Sequence, residues 1–114
     1  MNRDYSLKRH KEFRYTYRVG RSQSGSLITV VYARSRSETV RIGFSVSKRV
    51  GNAVQRNRAK RRMRAALTPL LPRIPGGYNV IFVAKPDVLS AEFTALSAQM
   101  ETLLRRAGLW RDEA

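Results

Sequence analysis

The clearest pattern along this chain lies in residues 40–47, where Val40, Ile42, Phe44 and Val46 take one side and Arg41, Gly43, Ser45 and Ser47 the other. A period of two is that of a strand with one apolar face. Residues 27–33, LITVVYA, are rich in β-branched side chains and follow a breaker stretch, Ser22 to Ser26, so they predict a first strand with the alternating segment as its antiparallel partner. Residues 80–84, VIFVA, are apolar without interruption, as in a strand covered on both faces and central to its sheet.

Helical spacing fills most of the remainder. Lys8 to Val19 predicts a short basic helix ending near Gly20, with Phe13 and Tyr17 four residues apart on one face. Asn52 followed by Gln55 is a capping-box pattern, which starts a helix after a connector at 48–51. At about 100° per residue, Ala59, Met63, Ala66, Leu67 and Leu70 form one stripe, while Asn57, Arg58, Lys60, Arg61, Arg62 and Arg64 cover most of the rest. Val54 and Arg56 depart from that division in the first turn. Pro69, Pro72, Pro75, Gly76 and Gly77 predict a loop. Ser90 is placed to cap a helix over 91–107, in which Phe93, Leu96, Met100, Leu103 and Leu104 recur at helical spacing before Gly108. The fold class is α+β, in the order roughly α-β-β-(β)-α-β-α, a small sheet packed with helices. At 114 residues and 42% hydrophobic the chain predicts one domain, 1–114, with Phe44, Phe82 and Phe93 in its core.

Charge changes the picture. The run KRVGNAVQRNRAKRRMR, Lys48 to Arg64, carries eight basic residues and no acidic one. Residues 1–64 hold 18 basic and 3 acidic side chains whereas residues 65–114 hold 5 of each, so the net charge of +15 belongs to the first half. A surplus placed this way points to a polyanionic partner. A solvated helix face is the plainer reading, but eight cations without acidic neighbours repel one another in a free helix.

The chain offers little catalytic chemistry. His10 is the only histidine and sits among Lys8, Arg9 and Lys11, where a surface or phosphate-facing role suits it better than general base. Asp4, Glu12 and Glu38 are the only carboxylates of the basic half and are scattered, which excludes a two-metal nuclease centre. With no cysteine, disulfides, thiolate metal sites and cysteine nucleophiles are absent as well. The expectation is no catalytic site and no metal site in the polypeptide. The first eleven residues are too polar for a signal peptide, and no apolar stretch approaches the roughly 20 residues of a membrane helix, so a cytoplasmic protein without membrane contact is expected.

What remains is phosphate and base recognition. Arginine grips phosphate through a planar fork, lysine offers a point charge, and Asn57 can read a base edge or a 2′-hydroxyl. Phe13, Tyr15 and Tyr17 on a basic helix suit either of two roles, stacking on unpaired bases or docking on the sheet.

These residues resemble a known family, the protein subunit of bacterial ribonuclease P. The resemblance rests on SVSKRVGNAVQRNRAKRRMR, Ser45 to Arg64, with its Gly-Asn-Ala-Val turn and Arg-Asn-Arg helix. Leu7 to Gly20, with its spaced aromatic pair and closing glycine, and YNVIFVAKP, Tyr78 to Pro86, are similar to the family's opening helix and last strand. Tyr17 stands where the family often has Phe. The resemblance implies an α/β sandwich with a left-handed β-α-β crossover through the basic helix, an exception to the usual handedness. It implies a protein cofactor whose catalytic RNA partner removes the 5′ leader of precursor tRNA with Mg²⁺ required by the RNA, with no further protein partner required. Carried over by position, Lys48, Arg49, Arg56, Asn57, Arg58, Lys60, Arg61 and Arg64 contact the catalytic RNA, and Phe13, Tyr17, Val30, Tyr32 and Ser45 line a cleft for the leader. A structural RNA-binding protein such as a ribosomal protein, or a protein placing the basic helix in a DNA major groove, would share the charge and size.

Overall fold

The computed structural model describes residues 5–113; Asp4, one of the carboxylates named above, lies outside them. Its elements are α1 (His10–Val19), β1 (Arg21–Ser24), β2 (Ile28–Arg34), β3 (Arg41–Ser45), α2 (Ala53–Leu67), β4 (Tyr78–Ala84) and α3 (Phe93–Arg106), with 3-10 turns at Thr68–Arg73 and Pro86–Val88. The strands form one sheet in the order β1-β2-β4-β3. The apolar run of β4 is therefore central, antiparallel to β2 and parallel to β3.

The pairing expected for the alternating segment is corrected here. β3 is not the partner of β2; it lies beside β4, from Arg41 opposite Asn79 to Ser45 opposite Val83. Alternation reports that one face of a strand is buried, and says nothing of which neighbour shares its hydrogen bonds. Because β3 and β4 are parallel, the chain between them crosses over the sheet through α2, as parallel neighbours require.

The stretch from Ser22 to Ser26 is likewise not all breaker. Arg21–Ser24 pairs with β2, Arg21 opposite Tyr32 and Ser24 opposite Thr29. An outer strand with mostly exposed side chains needs only its backbone bonds, so a polar sequence suffices. The break is confined to the turn at 25–27, where Gly25 N–H donates to Ile28 O at 2.9 Å. Gln99 of α3 completes that turn, its Oε1 accepting from Leu27 N–H at 2.7 Å and Ile28 N–H at 3.0 Å.

Two faces of the sheet carry two apolar layers. On one, Val30, Phe82 and Phe44 lie in register across β2, β4 and β3, and the Phe44 and Phe82 rings stack with centroids 5.8 Å apart. Ala59, Met63, Ala66 and Leu67 of α2 and Leu96, Met100, Leu103 and Leu104 of α3 close over this face, all fully buried. Each large side chain buried this way contributes roughly 1.5–3 kcal/mol. On the other face Val31 and Ile81 meet Leu7 and the Phe13 ring of α1.

The capping box of α2 is formed as expected: Asn52 Oδ1 accepts from Gln55 N–H at 2.9 Å, and Gln55 Oε1 accepts from Asn52 N–H at 2.8 Å. Three local expectations differ. The loop over 68–77 is in part a 3-10 helix, because a proline such as Pro69 is tolerated in the first turn of a helix and Leu70 and Leu71 turn toward the core. Ser90 does not cap α3; its hydroxyl donates to Asp87 O at 3.4 Å in the turn before it, and the helix begins at Phe93. Phe93 itself is not core but 42% exposed, since the first turn of α3 extends past the sheet-covering stripe. Gly108, at φ +76°, ends α3, as the sequence predicts. Among the described residues no helix is long and apolar enough to cross a membrane.

Candidate nucleic-acid interface

The docking of α2 decides which of its cations face outward. With Ala59, Met63 and Ala66 turned to the sheet, Asn57, Arg58, Arg61 and Arg64 are exposed and Arg56, Lys60 and Arg62 flank them half-buried. Arg56 is held back by its own turn, Nη1 donating to Gly51 O at 3.2 Å. Arg62 reaches across to α3's approach and donates to the Ala91 carbonyl. The Arg64 guanidinium lies 5.6 Å from the centroid of the Phe44 ring, which sets its stem against the sheet edge and leaves its donors free to solvent. Lys48 and Arg49, exposed in the turn before α2, extend the same surface. The Arg105–Glu101 ion pair, at 3.1 Å, lies on α3; among the described residues no carboxylate pairs with any cation of α2. All eight expected RNA-contacting residues thus belong to one helix and the turn that precedes it.

The expected cleft residues do not all meet. Phe13 lies over Gly43: a Cβ there would stand 2.6 Å from the ring. The ring is half-buried against Leu7, Val31 and Ile81, while Tyr17, one turn on, is 45% exposed. Gly43 opposes Ile81, which opposes Val31, so this row marks the α1 face. Two residues further along the strands, Thr29, Val83 and Ser45 form the next row on that face, and all three are only half-buried. They make a partly open floor beside Phe13 and Tyr17.

Val30 and Tyr32 are corrected. Their parity turns them to the opposite face, where Val30 is fully buried under α2 and α3 and Tyr32 packs at the margin of the same core. A slip of one residue exchanges the faces of a strand, and with Val30 and Val31 both apolar β2 gives no alternation by which to set its parity. Thr29 and Val83 are the floor residues that the sequence reading missed. The strict alternation of β3 was the available signal: it puts Gly43 and Ser45 on one side, and pairing then fixes their neighbours.

No group of three or more His, Asp or Glu side chains that could hold a metal ion occurs among the described residues. A capped helix whose cations have no carboxylate partner among the described residues, beside an aromatic-walled sheet floor, has the chemistry of a nucleic-acid-binding protein. The ribonuclease P family model matches residues 1–108. Curated relatives called ribonuclease P protein component include that of Chloroflexus aurantiacus, 44% identical over 96% of this chain and 82% of its own length, and that of Symbiobacterium thermophilum, 37% identical over 99% of both. A Staphylococcus aureus RNase P protein structure superposes with a TM-score of 0.84 at 26% identity, covering 94% of this chain and 98% of that one. The chain belongs to the ribonuclease P protein family.

Proposed function

We infer that the chain is the protein cofactor of a ribonuclease P ribonucleoprotein, the endoribonuclease that trims the 5′ leader from precursor tRNA, and that it acts as one RNA-binding domain in the cytoplasm. The catalytic centre belongs to the RNA partner, and the Mg²⁺ that the cleavage requires is the RNA's. Lys48, Arg49 and the outward cations of α2 hold the catalytic RNA. Phe13, Tyr17 and the Thr29–Val83–Ser45 floor take the single-stranded leader.

The observation that carries this reading is the basic face of α2, presented on a capped helix with no carboxylate among the described residues paired to it. Bringing two polyanions together costs repulsion, and a protein of net charge +15 between them lowers that cost. Holding the leader also favours precursor over product, because the product lacks the segment that is held. The test is reconstitution. Added to ribonuclease P RNA at Mg²⁺ too low for the RNA alone, the protein restores cleavage of precursor tRNA at the 5′ end; no restoration at any protein concentration would refute the assignment.

A further inference from the structure

Tyr15 stands two residues from both Phe13 and Tyr17, about 200° around the helix, and so faces the opposite side of α1 from the leader floor. Three hollows meet at its ring. The first, a cavity of about 460 Å³, is lined by Tyr15, Val19, Arg21, Tyr32, Arg34 and Tyr78, among others. The second adds Ser35 and Arg36, and the third is bounded by Lys11, Arg14 and Arg18 on α1. Among the described residues no carboxylate lines any of them.

The walls of this region are built rather than incidental. The Tyr15 hydroxyl donates to Arg34 O at 3.3 Å, and the Arg34 guanidinium lies 5.5 Å from the centroid of the Tyr78 ring. Gly20 lets the chain leave α1 close against β2, since a Cβ there would stand 2.2 Å from Thr16 O and 2.8 Å from Tyr32 O. The Tyr15 ring is nonetheless 40% exposed and Val19 51% exposed. Tyr32, excluded from the leader floor by its parity, lines this cavity instead.

We propose that the hollows around Tyr15 form a second RNA site, which holds an unpaired nucleotide with its base against the Tyr15 ring and the adjoining phosphates on Arg14, Arg18 and Arg21. Exposed aromatic faces flanked by unpaired cations are the chemistry of single-stranded nucleic-acid binding. The volume falls in the range of small-molecule pockets, and the continuation past Tyr15 into two further basic hollows favours a strand over a lone nucleotide. This inference rests on the RNA-binding reading of the chain and adds a contact that α2 and the leader floor do not supply. The nucleotide comes from the catalytic RNA or from the leader, which differ in the assay that detects them.

The experiment measures binding of the full-length protein to ribonuclease P RNA, and binding of the reconstituted holoenzyme to precursor tRNA with a long leader or a single-nucleotide leader. Tyr15→Ala weakens one of these by about fivefold to a hundredfold, the range of lost base stacking. Tyr15→Phe keeps near-native affinity. A loss in the first assay assigns the nucleotide to the catalytic RNA; a loss confined to the long leader assigns it to the substrate. Arg21→Gln, at an exposed position, lowers the salt slope of the same assay by about 0.7 and carries the test if Tyr15→Ala does not fold. Affinities within twofold of native for both Tyr15→Ala and Arg21→Gln overturn the site, as does a Tyr15→Phe loss equal to that of Tyr15→Ala, which would assign the effect to the hydroxyl's bond with Arg34. The Arg58, Arg61 and Arg64 triple alanine variant run alongside separates the two readings. If it loses RNA affinity while the Tyr15 and Arg21 variants do not, only the second site falls; if it too is unaffected, the RNA-binding reading falls with it.

Discussion

The Asn79 amide donates from Nδ2 to the Thr16 hydroxyl at 3.2 Å, and that hydroxyl donates in turn to Glu12 O at 2.8 Å. Both residues are buried, Thr16 fully and Asn79 to within 5%. Buried amides are kept only where they find partners, so this pair fixes the middle of α1 over the start of β4. The far end of β4, at Val83, is only half-covered, and that partly open end is the floor proposed for the leader.

Thr16→Val keeps the shape of the side chain and removes the acceptor. The unpaired Asn79 amide then costs about 1–3 kcal/mol, and the thermal midpoint falls by roughly 4–8 °C for each kcal/mol. Thermal denaturation followed by circular dichroism checks this. An unchanged midpoint would mean that α1 is held by its apolar contacts alone.

Phe13 docks α1 on the sheet and is the contact proposed for the leader, and two variants separate the roles. Phe13→Ala removes the ring and lowers holoenzyme affinity for a long-leader precursor by about fivefold to a hundredfold, with a single-nucleotide leader bound as before. Gly43→Ala keeps the ring but displaces it, since the new Cβ would lie 2.6 Å from its edge, and gives the same leader-dependent loss. Equal losses for long and short leaders in both variants would reduce Phe13 to a docking residue.

Changing Arg58, Arg61 and Arg64 together to Ala leaves the buried stripe of α2 untouched, so the far-ultraviolet spectrum stays native. Affinity for ribonuclease P RNA falls, and the slope of log affinity against log salt is reduced by about 0.7–0.9 for each phosphate contact removed. Removing Arg64 also strips a cation from the Phe44 face, a loss of about 0.5–1 kcal/mol of stability at an exposed site. Native affinity and slope in this variant would make the helix a solvated face.

Protein freed of RNA leaves precursor tRNA intact over a wide range of Mg²⁺, because none of its described residues clusters to hold a metal pair. Gel analysis of 5′-labelled precursor tests it. Cleavage that survives nuclease treatment of the protein and persists through repeated purification would overturn the assignment of chemistry to the RNA.

The elements that could be read from the sequence are those whose burial is one-sided or complete. The β4 run, the β3 alternation and the α2 stripe each state how much of a segment is covered, and the Asn52–Gln55 cap is a local chemical pattern. Partner choice is not local. Whether β3 sits beside β2 or β4 depends on where α2 carries the chain, and β1 exists through backbone bonds to β2 that its polar side chains do not announce. The cations of the candidate site could be read because charge needs no fold to be recognised. Its floor could not, because β2 is apolar on both faces over Val30 and Val31, and one residue of parity decides which of them meets Phe13.

The uncompensated cations of α2 also set how the free protein and its complex respond to their surroundings. In the free chain these charges press on one another, and added salt screens that repulsion and firms the fold. In the complex the same salt competes for the phosphates and loosens the assembly. On the proposed role of α2, folding and assembly therefore answer ionic strength with opposite signs, and an RNA that prefers the native helix is a thermodynamic ligand that draws the chain toward its folded form.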